Sequence, residues 1–255
     1  MMRYFIYLAY NGTNYCGWQN QPNGVSIQSC IEGVISKIFN SEISVTGAGR
    51  TDAGVHAKTM VAHFDTSVDI ENTDLLVGKL NNMLPKDIVV NKIVSVKENA
   101  HARFDALSRS YEYRISDKKD PFRYEYISRM SLQNMNFEKM NGACKVLYDY
   151  SDFTSFSKLH TDVKTNNCRI YEAGWKKDED EWVFTVKADR FLRNMVRAIV
   201  GTMFDVGRGK VSIEGFRDII ESKNRCNAGT SASAEGLALT GIEYPDIIFS
   251  ENKVT

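Results

Sequence analysis

Apolar and polar residues alternate or repeat at helical spacing along the first hundred residues, and this pattern predicts six elements. Arg3 to Tyr10 is rich in aromatic and β-branched residues, as expected of a strand. Ile27, Ile31, Val34, Ile35 and Ile38 recur at helical spacing after a possible N-cap, Ser26. The predicted elements are strand 3–10, helix 26–39, strands 43–46 and 59–65, helix 73–83 with Leu75, Leu76, Leu80 and Leu84 as its apolar stripe, and strand 88–96. This β-α-β-β-α-β order predicts a ferredoxin-like domain with an antiparallel sheet.

A similar order of elements is predicted from residue 109 onward. The predicted elements are strand 110–115, helix 137–147, strands 169–176 and 182–188, helix 191–205, short helix 214–222 and strand 237–244. We therefore expect an α/β (α+β) protein of two ferredoxin-like domains, 1–104 and 105–255, with the active-site cleft between them. The segment 225–235 is rich in Gly, Ser and Ala, which favours a mobile loop that could close over a ligand.

The third long helix carries two sets of residues at helical spacing. Its predicted buried face is Leu192, Met195, Val196, Ile199, Val200 and Met203. Arg190, Arg193 and Arg197 fall at i, i+3 and i+7 on a neighbouring stripe, and by themselves such arginines are more often a solvated face than a binding site.

Composition narrows the class of protein. The chain has 255 residues, 43% hydrophobic and 25% charged, which is typical of a folded globular protein and not of a disordered one. The N-terminus enters a strand-like run without a signal-peptide pattern, and no apolar run is long enough to span a membrane, so we expect a cytoplasmic protein. Five scattered cysteines without a C-x-x-C pair indicate neither a disulfide framework nor a zinc site.

The net charge of zero is unusual for a protein that binds nucleic acid, which commonly carries a basic excess. Acidic residues are concentrated in Asp178-Glu179-Asp180-Glu181, where a solvated turn is expected. If the protein binds nucleic acid, its arginines must therefore be segregated onto one face.

The most informative stretch is GAGRTDAGVHA, residues 47–57, between two predicted strands. Three glycines let the backbone approach a ligand closely or adopt positive φ, so that Arg50 and Asp52 can point into a cleft. A P-loop is excluded because Val55 and His56 follow where Lys and Ser/Thr are required. A dinucleotide fingerprint is excluded by the position of the third glycine. The alternative from residues alone is an ordinary tight turn with Arg50 solvated.

This stretch resembles the signature of the tRNA pseudouridine synthase A family, and further blocks of that family follow in its order. They are YCGWQ at 15–19, HARF at 101–104, RSY at 109–111, DFTSF at 152–156, FLRNMVRAIVG at 191–201 and AEGLAL at 234–239. The resemblance covers nearly the whole chain. Residues 191–194 depart from the commonest sequence of their block.

The resemblance implies an isomerase that converts uridine to pseudouridine at positions 38, 39 and 40 of the tRNA anticodon stem-loop. It implies no cofactor and no metal, and a homodimer. Asp52 is then the catalytic carboxylate, whether it attacks C1′, attacks C6 or assists a glycal route. Arg197 is the first candidate to hold the charge of Asp52, and Arg50 the second.

The same resemblance assigns further substrate-binding residues. In the RSY block, Tyr111 is favoured over Tyr113 as the residue that contacts the base. Leu237 or Leu239 would pack beneath the uracil, although a core role is nearly as well supported. Phosphate contacts are expected from Arg50, Arg103, Arg109 and Lys58.

His56 and His101 are interpreted as hydrogen-bonded structural histidines, because neither is paired with a nucleophile or a second ligand. The chain could also be a relative that modifies another RNA, or a silent RNA-binding module on the same fold.

Overall fold

The computed structural model describes residues 1–22, 24–158 and 165–249 of the chain. Two compact units are present. Of the described residues, the first comprises Met1–Leu107 and 239–249, and the second comprises Ser108–Ala238.

The first unit has the predicted β-α-β-β-α-β order. Its elements are β1 (Met2–Tyr10), α1 (Ile27–Phe39), β2 (Val45–Gly47), β3 (His56–Thr66), α2 (Thr73–Met83) and β4 (Ile88–Val96). The strands β4, β1 and β3 are neighbours in that order, β2 pairs with β3, and the pairs β1–β3, β1–β4 and β2–β3 are antiparallel. The predicted fold class is confirmed in this unit.

The two helices of the first unit follow from their apolar stripes and caps. In α1, Ser26 accepts a hydrogen bond from the backbone N–H of Ser29, and Asn40 ends the helix in the left-handed region at φ 47°. In α2, Leu76 and Leu80 are buried, but Leu75 is 57% exposed, so its inclusion in the apolar stripe was wrong. Adjacent positions point about 100° apart on a helix, and only Leu76 of this pair faces the sheet.

The second unit repeats the same order with additions. Its elements are β5 (Ser108–Ser116), β6 (Ser128–Arg129), α3 (Phe137–Val146), β7 (Ile170–Asp178), β8 (Glu181–Ala188), α4 (Met195–Gly207), α5 (Ile213–Glu221) and the start of β9 (Leu237–Glu243), whose later residues belong to the first unit. The strands β5, β8 and β7 are neighbours and pair antiparallel, whereas the short β6 pairs with β5 in parallel. The structure is therefore α+β with a mostly antiparallel sheet.

The helix α4 begins later than predicted. The expected start was residue 191, but the helix begins at Met195, because Asn194 adopts a left-handed conformation at φ 65°. Arg190 and Arg193 therefore precede the helix, and only Arg197 of the three arginines lies on it. The predicted buried residues Leu192, Met195, Val196, Ile199, Val200 and Met203 are all buried.

The acidic run after β7 is not the fully solvated turn that was expected. Glu181 is only 3% exposed, because it opens β8 and its carboxylate is bound by two arginines. Arg114 approaches one oxygen at 3.0 Å and Arg123 contacts the other. Pairing with two cations is what permits this carboxylate to be buried.

The loop that was expected to be mobile packs along α4. Residues Arg225–Asn227 form a single 3-10 turn. The Arg225 guanidinium donates to the carbonyl oxygens of Ala228 and Gly229, and the Gly229 N–H donates to the Thr202 hydroxyl at 2.9 Å. The small Gly, Ser and Ala residues of this segment therefore allow it to pack closely against α4. Among the described residues, no helix is long and apolar enough to cross a membrane.

Candidate active site

Asp52 lies in the connection between β2 and β3 and is half-buried, whereas Arg50 in the same connection is exposed. The backbone N–H of Ala48 donates to the carbonyl of Val61 at 2.8 Å, which fixes the start of the loop. Its end is a tight turn in which the Val55 N–H donates to the Asp52 carbonyl at 3.1 Å and Gly54 adopts φ 77°. This is the geometry that the glycine spacing predicts for a loop that presents a side chain.

The YCGWQ block holds this loop in place. The carbonyl of Thr51 accepts a hydrogen bond from the Trp18 N–H at 3.2 Å, and the Thr51 hydroxyl is 2.9 Å from the hydroxyl of Tyr10. Gly17 adopts φ 99°, and a Cβ on it would lie 2.5 Å from the Thr51 carbonyl oxygen. The backbone immediately before Asp52 thus rests directly on the backbone of Gly17.

The other end of the loop is held at Gly12. Its N–H donates to Nδ1 of His56 at 3.1 Å, and a Cβ on Gly12 would lie 2.0 Å from the carbonyl oxygen of Val55. His56 is 3% exposed and acts as a hydrogen-bond acceptor for the backbone, as expected of a structural histidine. No role for Gly12 or Gly17 was predicted from the sequence. Only Gly17 was indicated there, since it lies in the YCGWQ block that resembles the family.

Arg103 lies in the turn 101–105 of the first unit and is exposed. Two histidines hold this turn. Nδ1 of His63 accepts from the Ala102 N–H at 3.2 Å, and Nδ1 of His101 accepts from the Arg103 N–H at 3.1 Å. Burial, reinforced by the positive charge of Arg3, lowers the pKa of His63 to about 4 and also lowers the pKa of His101. Both imidazoles are therefore neutral at pH 7 and able to accept these bonds.

In the second unit, Tyr111 and Tyr113 occupy different environments although both lie on β5. Tyr113 is fully buried and its hydroxyl is 3.0 Å from that of Ser233. Burial raises the pKa of the Tyr113 phenol. Tyr111 is half-buried and its ring packs edge-on against Phe191, with 5.1 Å between the centroids. Tyr113 is a core residue, which leaves Tyr111 as the better candidate for contact with a base.

The two arginines predicted for the second unit are both anchored to backbone. A guanidinium N–H of Arg109, two residues before Tyr111 on β5, donates to the Asp189 carbonyl at 2.8 Å. Arg197 on α4 donates through Nε to the carbonyl of Ala232 at 2.7 Å, and its own carbonyl accepts from the Ala232 N–H at 2.9 Å. Such anchoring fixes the direction of the remaining guanidinium N–H groups.

Leu237 and Leu239 are both buried, at 5% and 1% exposure, so each has the environment of a core residue. The preceding Gly236 accepts through its carbonyl from the Arg114 N–H at 2.9 Å. A Cβ on Gly236 would lie 2.8 Å from the Tyr113 ring, so glycine is what allows this segment to approach β5.

The structure therefore brings some predicted residues together within each unit. Arg50 and Asp52 share one loop of the first unit, and Arg109 and Tyr111 share one face of a strand in the second. Arg103, Arg197, Leu237 and Leu239 lie on other elements. Among residues 1–22, 24–158 and 165–249, no group of three or more His, Cys, Asp or Glu side chains is arranged to hold a metal ion.

Comparison with known proteins identifies the family of the chain. The profile of a family described as tRNA pseudouridine synthase matches residues 6–105 and 143–245. The chain is 57% identical to the tRNA pseudouridine synthase A of Parabacteroides distasonis over 249 residues, covering 98% of each chain. It is 56% identical to the protein of the same name from Bacteroides thetaiotaomicron over 254 residues, covering 98% of this chain and 94% of that one. The chain belongs to the tRNA pseudouridine synthase family.

Proposed function

We propose that this protein isomerises uridine to pseudouridine at positions 38, 39 and 40 of the tRNA anticodon stem-loop, with Asp52 as the reacting carboxylate and without a cofactor. The observation that carries the proposal is the placement of Asp52, half-buried on a loop whose two ends are held by backbone contacts, in a chain of this family. The positions in tRNA follow from the resemblance to the A branch, whose name the curated relatives also bear.

The chemistry needs one anion near the sugar or the base. The C1′–N1 bond breaks, the uracil rotates, a C1′–C5 bond forms, and the proton lost from C5 is balanced by one gained at N1. No electrons are gained or lost overall, so no redox cofactor is required. A carboxylate can form a covalent bond with C1′ or with C6, or can assist loss of a sugar proton in a glycal route. All three routes require Asp52 in its ionised form.

The other predicted residues are assigned the following roles. Tyr111, with part of its ring exposed, can stack on the uracil, and its hydroxyl can carry a proton. Leu237 or Leu239 supplies an apolar floor for the base. We assign Arg197 to holding the Asp52 charge, with Arg50 as the second candidate.

Binding must offset the extrusion of a stacked base from the stem, which costs a few kcal/mol. Exposed Arg50 and Arg103 and the anchored Arg109 can contact phosphates, which supply affinity without reading sequence. Because the net charge of the chain is zero, this affinity depends on where the arginines lie and not on their number.

The test of this function is Asp52→Asn. The amide keeps the size of the side chain but cannot act as an anion, so tritium release from C5-labelled uridine in tRNA should fall by several orders of magnitude. Filter binding of tRNA should be unchanged or slightly tighter, because removing an anion does not weaken contact with a polyanion. Asp117→Asn, at an exposed position in the second unit, is the matched control and should keep full activity.

Tritium release by Asp52→Asn at the wild-type rate would refute the catalytic role of Asp52. No release by the wild type would instead favour a silent RNA-binding module. Mapping of pseudouridines in tRNA from cells that lack the protein tests the three positions, since uridine should persist at 38, 39 and 40 and nowhere else.

We further propose that the protein acts in the cytoplasm as a homodimer, as the resemblance implies. Light scattering coupled to size-exclusion chromatography should give twice the chain mass of 28.9 kDa. A mass of one chain at working concentration would contradict the dimer.

A further inference from the structure

A large aromatic side chain is exposed beside an arginine in the turn 101–105. Phe104 is 74% exposed, although burying a phenylalanine side chain is worth roughly 1.5–3 kcal/mol. The guanidinium carbon of Arg103 lies 5.8 Å from the centroid of the Phe104 ring, within the range of a cation–π contact. An exposed ring with a cation next to it is a combination that nucleic-acid-binding proteins use for bases.

The backbone of this turn is unusually well fixed for a surface segment. Nδ1 of His101 accepts from the N–H groups of both Arg103 and Phe104, at 3.1 and 3.4 Å. The carboxylate of Asp105 accepts from the His101 N–H at 2.7 Å, and the Asp105 N–H returns to the His101 carbonyl at 3.0 Å. Two neighbouring side chains are thus presented from a backbone that is already ordered, which lowers the entropy cost of binding.

A row of rings supports Phe104 from the interior. Its centroid is 4.2 Å from that of His101, which in turn lies 4.6 Å edge-on from His63. His63 stacks on Phe5, a fully buried residue of β1, at 6.3 Å. The Phe104 ring is therefore connected to the core on one side, and most of its surface remains available to a ligand.

We propose that Phe104 stacks on an unpaired nucleotide of the substrate RNA while Arg103 contacts the adjoining phosphate. This inference rests on the proposed function for the identity of the RNA, and it adds a base-stacking residue to that function. An aromatic face accepts any base, so the contact contributes affinity and orientation without specifying sequence. Phe104 does not take part in the bond changes.

The test measures tRNA affinity and turnover for three substitutions. Phe104→Ala should raise the Kd for tRNA about 5- to 150-fold, the range that corresponds to the loss of one stacked base, with little change in kcat at saturating tRNA. Phe104→Tyr keeps a flat ring and should bind within about twofold of the wild type. Phe104→Leu keeps an apolar side chain but loses the flat face, and it should bind nearly as weakly as Phe104→Ala.

Phe122→Ala is the matched control, because Phe122 is a 91% exposed phenylalanine in the other unit. It should bind tRNA like the wild type. Thermal unfolding of all variants checks that the fold is intact, which is expected because the substituted side chains are exposed.

The result separates this inference from the proposed function. If the wild type converts uridine in tRNA but Phe104→Ala binds as tightly as the wild type, the stacking contact is refuted and the enzymatic function stands. Equal binding by Phe104→Leu and the wild type, or equal weakening by Phe104→Ala and Phe122→Ala, would also refute stacking. Absence of any turnover by the wild type would refute the proposed function, and the binding series would still test the contact with RNA.

Discussion

Replacement of Gly17 by alanine tests whether the position of Asp52 depends on the YCGWQ block. Gly17 has φ 99°, a conformation that costs an L-residue about 1–2 kcal/mol. The added Cβ would also lie 2.5 Å from the Thr51 carbonyl oxygen and 3.1 Å from the carbonyl carbon of Asp52. These are backbone atoms, so the clash can be relieved only by moving the loop or the Gly17 segment.

The size of the effect follows from these distances. Ordinary van der Waals contact begins near 3.4 Å, so the Thr51 carbonyl must move by about 1 Å relative to Gly17. A misplacement of about 1 Å can lower a rate about 100-fold. We therefore expect Gly17→Ala to lower kcat by about two orders of magnitude. The strain should leave the protein folded, since it is smaller than the 5–15 kcal/mol that typically stabilises a domain.

The assay is tritium release under single-turnover conditions, with enzyme in excess over labelled tRNA, beside a Kd measurement. Gly49→Ala is the matched control, because it lies in the same loop as Asp52 but its added Cβ meets no atom within 4 Å. Gly49→Ala should keep a rate within a few-fold of the wild type. Equal single-turnover rates for Gly17→Ala and the wild type would refute the idea that Gly17 positions Asp52.

Two further predictions concern stability. The pKa of His63 is about 4 in the folded protein, against an ordinary value of 6.5. Between these two pH values the unfolded chain therefore binds more protons than the folded protein. The free energy of unfolding should fall by about 3 kcal/mol as the pH drops from 6.5 to 4. His63→Asn keeps an acceptor for Ala102 and should flatten this part of the profile in urea unfolding; an unchanged slope would contradict it. Gly201→Ala places a Cβ 1.8 Å from the Thr230 carbonyl oxygen and should lower the Tm by several degrees, whereas Gly33→Ala, at an open helical position, should raise it slightly. An unchanged Tm for Gly201→Ala would contradict this, because it would show that the segment around Thr230 can move to accommodate the added methyl group.

Most of the fold was predictable because its elements follow local patterns. The apolar spacing in α1 and the capping oxygen of Ser26 both act within a few residues. In strands such as β4, buried and exposed side chains tend to alternate, and this two-residue repeat can be seen in the sequence. The predicted bounds of α2 and β4 agree with the structure because a side-chain cap at Asn72 and the turn after Pro85 mark them.

The local pattern was least informative where another feature decides the structure. Nothing in residues 178–181 shows that Glu181 is buried, because its partners Arg114 and Arg123 lie more than fifty positions earlier. The start of α4 was predicted too early because Asn194 adopts positive φ, which a helical apolar pattern does not reveal. The composition of the loop 225–235 indicated mobility, yet small residues there allow close packing against α4.

The candidate site shows the same division between local and distant information. The signature loop offers Asp52 as a candidate, and the resemblance to the family, which extends over further blocks of the chain, favours it over an ordinary turn. Its geometry, however, depends on Gly12 and Gly17, which lie more than thirty positions earlier and touch the loop only because β1 pairs with β3. Since a Cβ on either glycine would meet backbone atoms of the loop, no larger side chain can be accommodated without displacing it. Substitutions at Gly12 should therefore resemble those at Gly17 in lowering the rate more than the affinity for tRNA.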